Sequence, residues 1–311
     1  MAARPAGRSV PGMFTNVIAG VDGAGGGQDA AALAGALGRG RITLVGVYPH
    51  DPVRTRGSVA GYEDLQAGDA LADLQAARSA TGVDAELRAI PDNFPARALQ
   101  QAAEEDGADL IVIGSAHHGR LGRVLLGDFA RGVLHDAPCA VAVAPKGLGA
   151  VALRRIAVGY DGTPEADAAL ALARDLAADH GAALTVCVAW EDPSLPILTA
   201  GDTGIPVAQL VTGVRDEAQA LLDAVMCDLP PRTEGRLLHG PAATVLEDAA
   251  QTHDLLVVGS RRVGTFDRVA VGSTSDHLVH HAPCPVLVVP RAAETGPPPA
   301  ARHAAGHGAG A

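Results

Sequence analysis

Two glycine-rich loops carry the residues whose spacing is best suited to chemistry. In each half of the chain, three glycines at identical spacing follow an apolar run. They are Gly114, Gly119 and Gly127 in the first half, and Gly259, Gly264 and Gly272 in the second. Because glycine lacks a Cβ atom, the N–H groups of such a loop approach an anion closely, and a following helix start adds a favourable dipole. The loops predict two anion-binding sites, although glycines also permit tight turns without any ligand.

Other polar residues recur beside these loops. An acidic residue and a glycine follow an early apolar run in each half, as Asp22-Gly23 and as Asp161-Gly162. A serine follows the first glycine of each loop, at Ser115 and at Ser260. If strands one and four of each half are neighbours, as the flavodoxin-like order predicted below would make them, this turn and the glycine loop of each half face each other across one crevice.

The sequence argues against several kinds of catalysis. A Walker A phosphate-binding loop needs a lysine, and the only lysine, Lys146, lies between the halves. No nucleophile elbow or zinc-protease motif is present. Cys139 and Cys284 begin apolar strands and are interpreted as buried small residues. We therefore expect no catalytic residue.

Histidines give a weak metal signal. His277, His280 and His281 share one predicted helix face, and Cys284 follows shortly after. His303 and His307 lie in the C-terminal tail. Neither group has the pattern of a structural zinc site, so we predict no metal site.

The chain repeats itself. Residues 109–115 recur at 254–260, and residues 135–145 recur at 280–290, both with an offset of 145. This predicts two domains, over residues 15–147 and 153–291, with an N-terminal tail over 1–14 and a disordered C-terminal tail over 292–311. In each half, five short β-branched runs alternate with helical segments, such as those over 62–81 and 164–180. We predict two tandem doubly wound α/β domains with five-stranded parallel sheets, Rossmann-like and in flavodoxin-like strand order.

Composition limits the partners. The 311 residues carry a formal net charge of −11, with 48% hydrophobic and 19% charged residues. Such a charge disfavours nucleic acid and anionic membranes. No long apolar run predicts a membrane span or a signal peptide, so a cytoplasmic location is expected.

The glycine loops and the Cys284-Pro-Val run resemble the universal stress protein family, in its tandem-domain bacterial form, over residues 15–291. That family's nucleotide signature is Gly-x2-Gly-x9-Gly-(Ser/Thr). Gly259, Gly272 and Ser273 match it, followed by Thr274, whereas Arg262 replaces the second glycine. The resemblance implies ATP, AMP or ADP as ligand, with or without Mg²⁺.

In the first half the match to the signature is poorer. Gly114 and Gly127 match, but His117 and Asp128 replace the second glycine and the hydroxyl residue. The resemblance also implies that Asp22 and Asp161 lie near the ribose and base, and that backbone atoms at Val47 and Val188 read adenine. Because Asp128 would repel phosphate, we expect nucleotide to favour the second half.

Three functions remain open at this stage. The first is a nucleotide-binding stress sensor that signals through an unknown protein partner. The second is an interaction protein that has lost nucleotide binding, and the third is a slow ATPase. The resemblance further implies that the halves pack as an intramolecular pair through their last strands, with a homodimer as a further possibility.

Overall fold

The structure is a computed structural model. It describes residues 14–23, 26–49, 62–115, 128–135, 137–192, 207–260 and 272–290. The predicted tails, apart from Phe14, and the interiors of both glycine loops, including His117, Gly119, Gly127, Arg262 and Gly264, lie outside the described residues. None of the helices within these ranges is both long and apolar enough to cross a bilayer.

Ten strands and eight helices alternate along the described chain. The strands are β1 Phe14–Gly20, β2 Gly38–Tyr48, β3 Glu86–Pro91, β4 Leu110–Gly114, β5 Ala140–Ala144, β6 Arg155–Gly159, β7 Ala183–Trp190, β8 Glu234–His239, β9 Leu255–Gly259 and β10 Val286–Val289. The helices are α1 Gly26–Leu37, α2 Tyr62–Thr81, α3 Pro95–Asp106, α4 Asp128–Leu134, α5 Pro164–His180, α6 Val207–Cys227, α7 Ala242–Ala250 and α8 Ser273–His281. We call β1–β5 with their helices the first half, and β6–β10 with theirs the second half.

Local signals set the ends of helix α5. Thr163 is the N-cap, and its hydroxyl accepts a hydrogen bond from the N–H of Ala166. Pro164 follows at the first helical position, where its missing N–H costs nothing. Gly181 ends the helix in the left-handed conformation, with φ of 64°. These residues explain why the predicted bounds of this helix are confirmed.

The strands form one sheet in the order β3-β2-β1-β4-β5-β10-β9-β6-β7-β8. Within each half all pairs are parallel, whereas β5 and β10 pair antiparallel and join the halves. The α/β fold and the pairing of the halves through their last strands are thus confirmed. The prediction of flavodoxin-like strand order is wrong, because each half has the Rossmann order 3-2-1-4-5.

The faces of the sheet on which the helices pack explain this order. The chain steps outward from β1 to β3 through α1 and α2, which pack on one face of the sheet. Helix α3 then returns on the other face, across β2 and β1, and delivers β4 to the far side of β1. Periodicity in the sequence predicts parallel strands joined by crossover helices, but it does not predict the face of the sheet on which α3 packs. Strands one and four are neighbours in both halves, as expected.

Candidate functional site

A cavity of about 260 Å³ lies at the carboxyl ends of β6, β7 and β9 in the second half. This is the point in the sheet where the chain reverses direction, the usual ligand position in open parallel sheets. The predicted site residues that line it are Asp161, Gly259, Ser260, Gly272 and Thr274. The structure therefore brings the end of the first strand and the end of the fourth strand of this half to one cavity.

Gly259 allows the backbone of β9 to approach the start of α5. A Cβ atom at Gly259 would lie 2.8 Å from the carbonyl carbon of Glu165 and 3.0 Å from the nitrogen of Ala166. Both contacts are with backbone, which cannot move aside as a flexible side chain would. Glycine is needed here for packing, whether or not a ligand binds.

The carboxylate of Asp161 is held by its own loop. Its Oδ1 accepts hydrogen bonds from the N–H of Thr163 at 3.1 Å and from the Thr163 hydroxyl at 2.6 Å. Gly162 between them has φ of 75°, a conformation that other residues rarely adopt. The loop thus fixes a carboxylate at the cavity wall in an orientation that suits a hydroxyl-bearing ligand.

Helix α8 presents its N-terminus to the cavity. Gly272 is the N-cap, and glycine has no side chain that could accept hydrogen bonds from the first-turn N–H groups. Gly272, Thr274 and Ser275 line the cavity, whereas Ser273 is exposed and is not among the lining residues. A helix start beside hydroxyl groups can bind an anion.

The described wall of this cavity is acidic. Asp161 and Glu165 are its two carboxylates, and no lysine or arginine occurs among its described lining residues. Arg261, Arg262 and Arg268 lie outside the described residues. A phosphate held by the described part of the site would depend on N–H groups, hydroxyls or a divalent cation bound to the carboxylates.

Nucleophilic thiols are not available in the described site. Burial raises the pKa of the Cys187 thiol, which lines the cavity, to about 11. Burial likewise raises the pKa values of Cys139 and Cys284 to about 12. These thiols stay protonated at neutral pH and are poor nucleophiles.

The histidines of α8 make structural contacts. Nε2 of His277 lies 2.7 Å from Oε2 of Glu247 on α7, and the rings of His277 and His281 stack at 4.2 Å. Within the described ranges no group of three or more His, Cys, Asp and Glu residues is placed to hold a metal. His303 and His307 lie outside those ranges.

A matching cavity of about 220 Å³ occupies the same place in the first half, at the ends of β1, β2 and β4. Asp22, Val47 and Gly114 line it, as the sequence predicted. Gly23 and Ser115 are not among its lining residues, although Ser115 is buried. A Cβ atom at Gly114 would lie 2.1 Å from the carbonyl oxygen of Gly26, so this glycine too permits a close approach of strand and helix.

Val47 and Val188, to which the resemblance assigns the same role, do not occupy equivalent positions in the two halves. Gly20 pairs with Val45 in the first half, and Gly159 pairs with Cys187 in the second. Val47 therefore corresponds to Ala189, which lines the second cavity. Val188 is one residue away, and its side chain packs in the core on the opposite face of the sheet.

Several lining residues were missed by sequence reasoning. In the second half they include Thr163, Glu165, Cys187, Ala189, Ala242 and Leu246, and in the first half Gly26, Val45, Pro95, Leu99 and Phe129. Ala242 and Leu246 come from α7, and Pro95 and Leu99 from α3. Only the strand order shows that these helices cross the ends of the first strands. Phe129 was detectable, because the offset of 145 makes it equivalent to the predicted site residue Thr274.

Comparisons with known proteins agree with this geometry. The profile of the universal stress protein family matches residues 13–145 and again residues 152–290. A universal stress protein from Mycolicibacterium smegmatis is 31% identical over 232 residues, which cover 72% of this chain and 74% of that protein. The crystal structure of a universal stress protein from Archaeoglobus fulgidus has a TM-score of 0.63 at 19% identity and covers 89% of this chain and 99% of that chain. The chain belongs to the universal stress protein family and carries the family's domain twice in tandem.

Proposed function

We propose that the protein binds an adenine nucleotide in the cavity of the second half and acts as a regulatory module in a stress response. The observation that carries this proposal is the start of α8, which has a glycine as its N-cap and opens beside Gly259 into the cavity at the strand ends. The proposed ligand is ATP, AMP or ADP, and the nucleotide state is read by a protein partner.

The cavity offers each part of a nucleotide a suitable wall. Cys187, Leu246 and Val258 form an apolar wall that suits a base. The Asp161 carboxylate can accept hydrogen bonds from ribose hydroxyls, which have donors to offer. The first turn of α8 can receive phosphate. The volume of about 260 Å³ lies just below the usual range of about 300–1,000 Å³ for ligand pockets, so phosphates would extend toward the rim.

The two carboxylates of the site fit Mg²⁺. Hard divalent cations prefer carboxylate and phosphate oxygens. Asp161 and Glu165 could hold such an ion, which would offset their repulsion of phosphate. Magnesium should therefore increase the affinity for ATP more than that for AMP.

The same site favours binding over turnover. Fast phosphoryl transfer needs a positioned base and positive charge that stabilises the transition state. The described lining residues include no lysine, arginine or histidine. We expect at most slow ATP hydrolysis, and a turnover number above about 1 s⁻¹ would contradict this part of the proposal.

The test has two steps. First, the purified chain is denatured and the released small molecules are identified by mass. Second, ATP is titrated by calorimetry against the parent and against Ser273→Asp. An aspartate is favourable in the first turn of a helix, so this variant should fold while it repels phosphate. We expect affinity to fall about ten- to a hundredfold.

Thr212→Asp serves as the matched control. Thr212 is an exposed residue of α6, and this helix packs on the face of the sheet opposite to α8. The same change of charge there should leave ATP affinity unchanged. An absence of co-purified nucleotide together with an absence of ATP binding by the parent would contradict the proposal and favour the interaction protein, a function that the acidic wall of the cavity supports.

A further inference from the structure

The two cavities differ in chemistry although they occupy equivalent places. The strand residues that line them correspond through the strand register, with Gly20 matching Gly159 and Gly114 matching Gly259. Each is a concave space at the carboxyl ends of strands one, two and four of its half. Differences between matched residues therefore indicate differences between ligands.

The described start of α4 differs chemically from that of α8. The hydroxyl residues Thr274 and Ser275, which line the second cavity, correspond to Phe129 and Ala130. Phe129 lines the first cavity and Ala130 is fully buried. An aromatic ring thus stands where the second half offers hydroxyls.

The remaining described walls of the first cavity are apolar. Val45 and Val47 correspond to Cys187 and Ala189, so the side chains from the second strand are bulkier. Pro95 and Leu99 of α3 close the cavity from the far side. Leu99 also contacts the backbone of β1, since its Cδ2 would lie 3.1 Å from a Cβ atom at Gly20.

One carboxylate lines this cavity, and a second lies beside the adjoining loop. Asp22 is its one titratable lining residue within the described part of the chain, because Gly26 replaces Glu165. The carboxylate of Asp73 on α2 lies against the same loop, where a Cβ atom at Gly23 would be 2.5 Å from Oδ2 of Asp73. Two carboxylates beside an apolar cavity repel anions, and a carboxylate accepts hydrogen bonds but donates none.

We propose that the first half binds an uncharged, flat, apolar molecule that carries one hydrogen-bond donor, such as a phenol or an indole, with its rings against Phe129 and its donor directed to Asp22. The chain would then read two signals, an apolar compound in the first half and a nucleotide in the second. This inference does not depend on nucleotide binding, since the two ligands occupy separate cavities.

The probe is 2-naphthol, a bicyclic phenol that is neutral at pH 7. Cavities lined by Leu, Ile and Phe and of about 150 Å³ bind benzene, so about 220 Å³ is of a suitable size for two fused rings. Calorimetric titration of the parent with 2-naphthol should show one site per chain. The anion 2-naphthoate, which has the same rings and a carboxylate, should bind at least about tenfold more weakly because of Asp22 and Asp73.

Two variants connect the binding to this cavity. Phe129→Thr installs the residue that the second half has at the same position, and it should weaken 2-naphthol binding by about tenfold or more. Asp22→Asn removes the charge and should reduce the discrimination between 2-naphthol and 2-naphthoate. Thermal melting of each variant establishes that it folds, and Thr274→Ala in the second half is the control that should leave 2-naphthol affinity unchanged.

Three results would overturn the proposal. One is an absence of 2-naphthol binding to the parent at millimolar concentration. Another is equal affinity in the parent and in both folded variants. The third is competition between ATP and 2-naphthol together with a loss of 2-naphthol binding in Thr274→Ala, which would place the probe in the second half.

Discussion

Arg131 and Asp276 are equivalent residues of the two halves, and they face each other, with Nε of Arg131 3.8 Å from Oδ1 of Asp276. Their offset of 145 is the offset of the repeat, and Ala142 pairs with Leu287 at the same offset. The pseudo-twofold axis between the halves therefore passes through both pairs. In a dimer of identical domains a residue on the axis meets its own copy, whereas two halves with different sequences can place opposite charges there.

Exchange of these charges should show their coupling. Arg131→Asp and Asp276→Arg each place like charges on the axis and should lower the free energy of unfolding by about 0.2–1 kcal/mol, since both side chains are largely exposed. The double exchange restores opposite charges and should recover part of that loss. Recovery should be incomplete, because the exchange removes an aspartate from the first turn of α8, where the helix dipole favours a negative charge. Urea unfolding of the four proteins gives the coupling energy, and strictly additive losses would refute it.

Thr43 and Thr185 should respond oppositely to substitution by valine. Both are buried and occupy equivalent positions, but the hydroxyl of Thr185 lies 3.0 Å from Nε2 of His253, whereas that of Thr43 has no hydrogen-bond partner. Thr185→Val leaves a buried histidine nitrogen unpaired and should cost about 1–3 kcal/mol. Thr43→Val should be neutral or stabilising, because it removes an unpaired hydroxyl. Chemical denaturation of both variants decides this, and equal losses would contradict it.

Gly114→Ala should destabilise the chain more than Gly259→Ala. The added methyl group would lie 2.1 Å from the Gly26 carbonyl oxygen in the first case and 2.8 Å from the Glu165 carbonyl carbon in the second. Overpacking against backbone costs about 1–3 kcal/mol or more. Gly68→Ala on α2, where nothing lies within 4 Å, is the control and should not destabilise. Thermal unfolding of the three variants should rank them in this order.

His180 should make the stability of the chain depend on pH. Burial, and then the positive charge of Arg39, lower the pKa of His180 below its ordinary value of 6.5. Below pH 6.5 the unfolded chain thus takes up a proton at this residue more readily than the folded chain, so the free energy of unfolding falls as pH decreases. His180→Gln should remove this part of the loss. Urea unfolding from about pH 7.5 to about pH 5.5 measures the free energy of unfolding of the parent and the variant. The same pH dependence in both would contradict this prediction.

Nucleotide affinity should differ between the halves. Asp128→Ser gives the first half the hydroxyl residue that the family signature has at this position, and it should strengthen any nucleotide binding there by about ten- to a hundredfold. Calorimetric stoichiometry with ATP measures the change against the parent. Nucleotide bound only in the first half of the parent would contradict this prediction.

The sequence by itself determined the repeat, the alternation of strands and helices, and the residues that follow strands one and four. A helix over 164–180 could be predicted because its cap, its proline and its final glycine are local signals. Asp161 and Gly259 could be assigned to one cavity because the carboxyl ends of parallel strands meet at one edge of a sheet.

Only the tertiary structure decided the strand order and the walls of the cavities. Leu99 and Leu246 reach the cavities because α3 and α7 return across the sheet, a choice of face that no local pattern encodes. Ala189 rather than Val188 lines the second cavity, because the side chains of a strand alternate between faces and a shift of one residue reverses them. Local propensity acts over a few residues, whereas register and face depend on the packing of segments far apart in the chain.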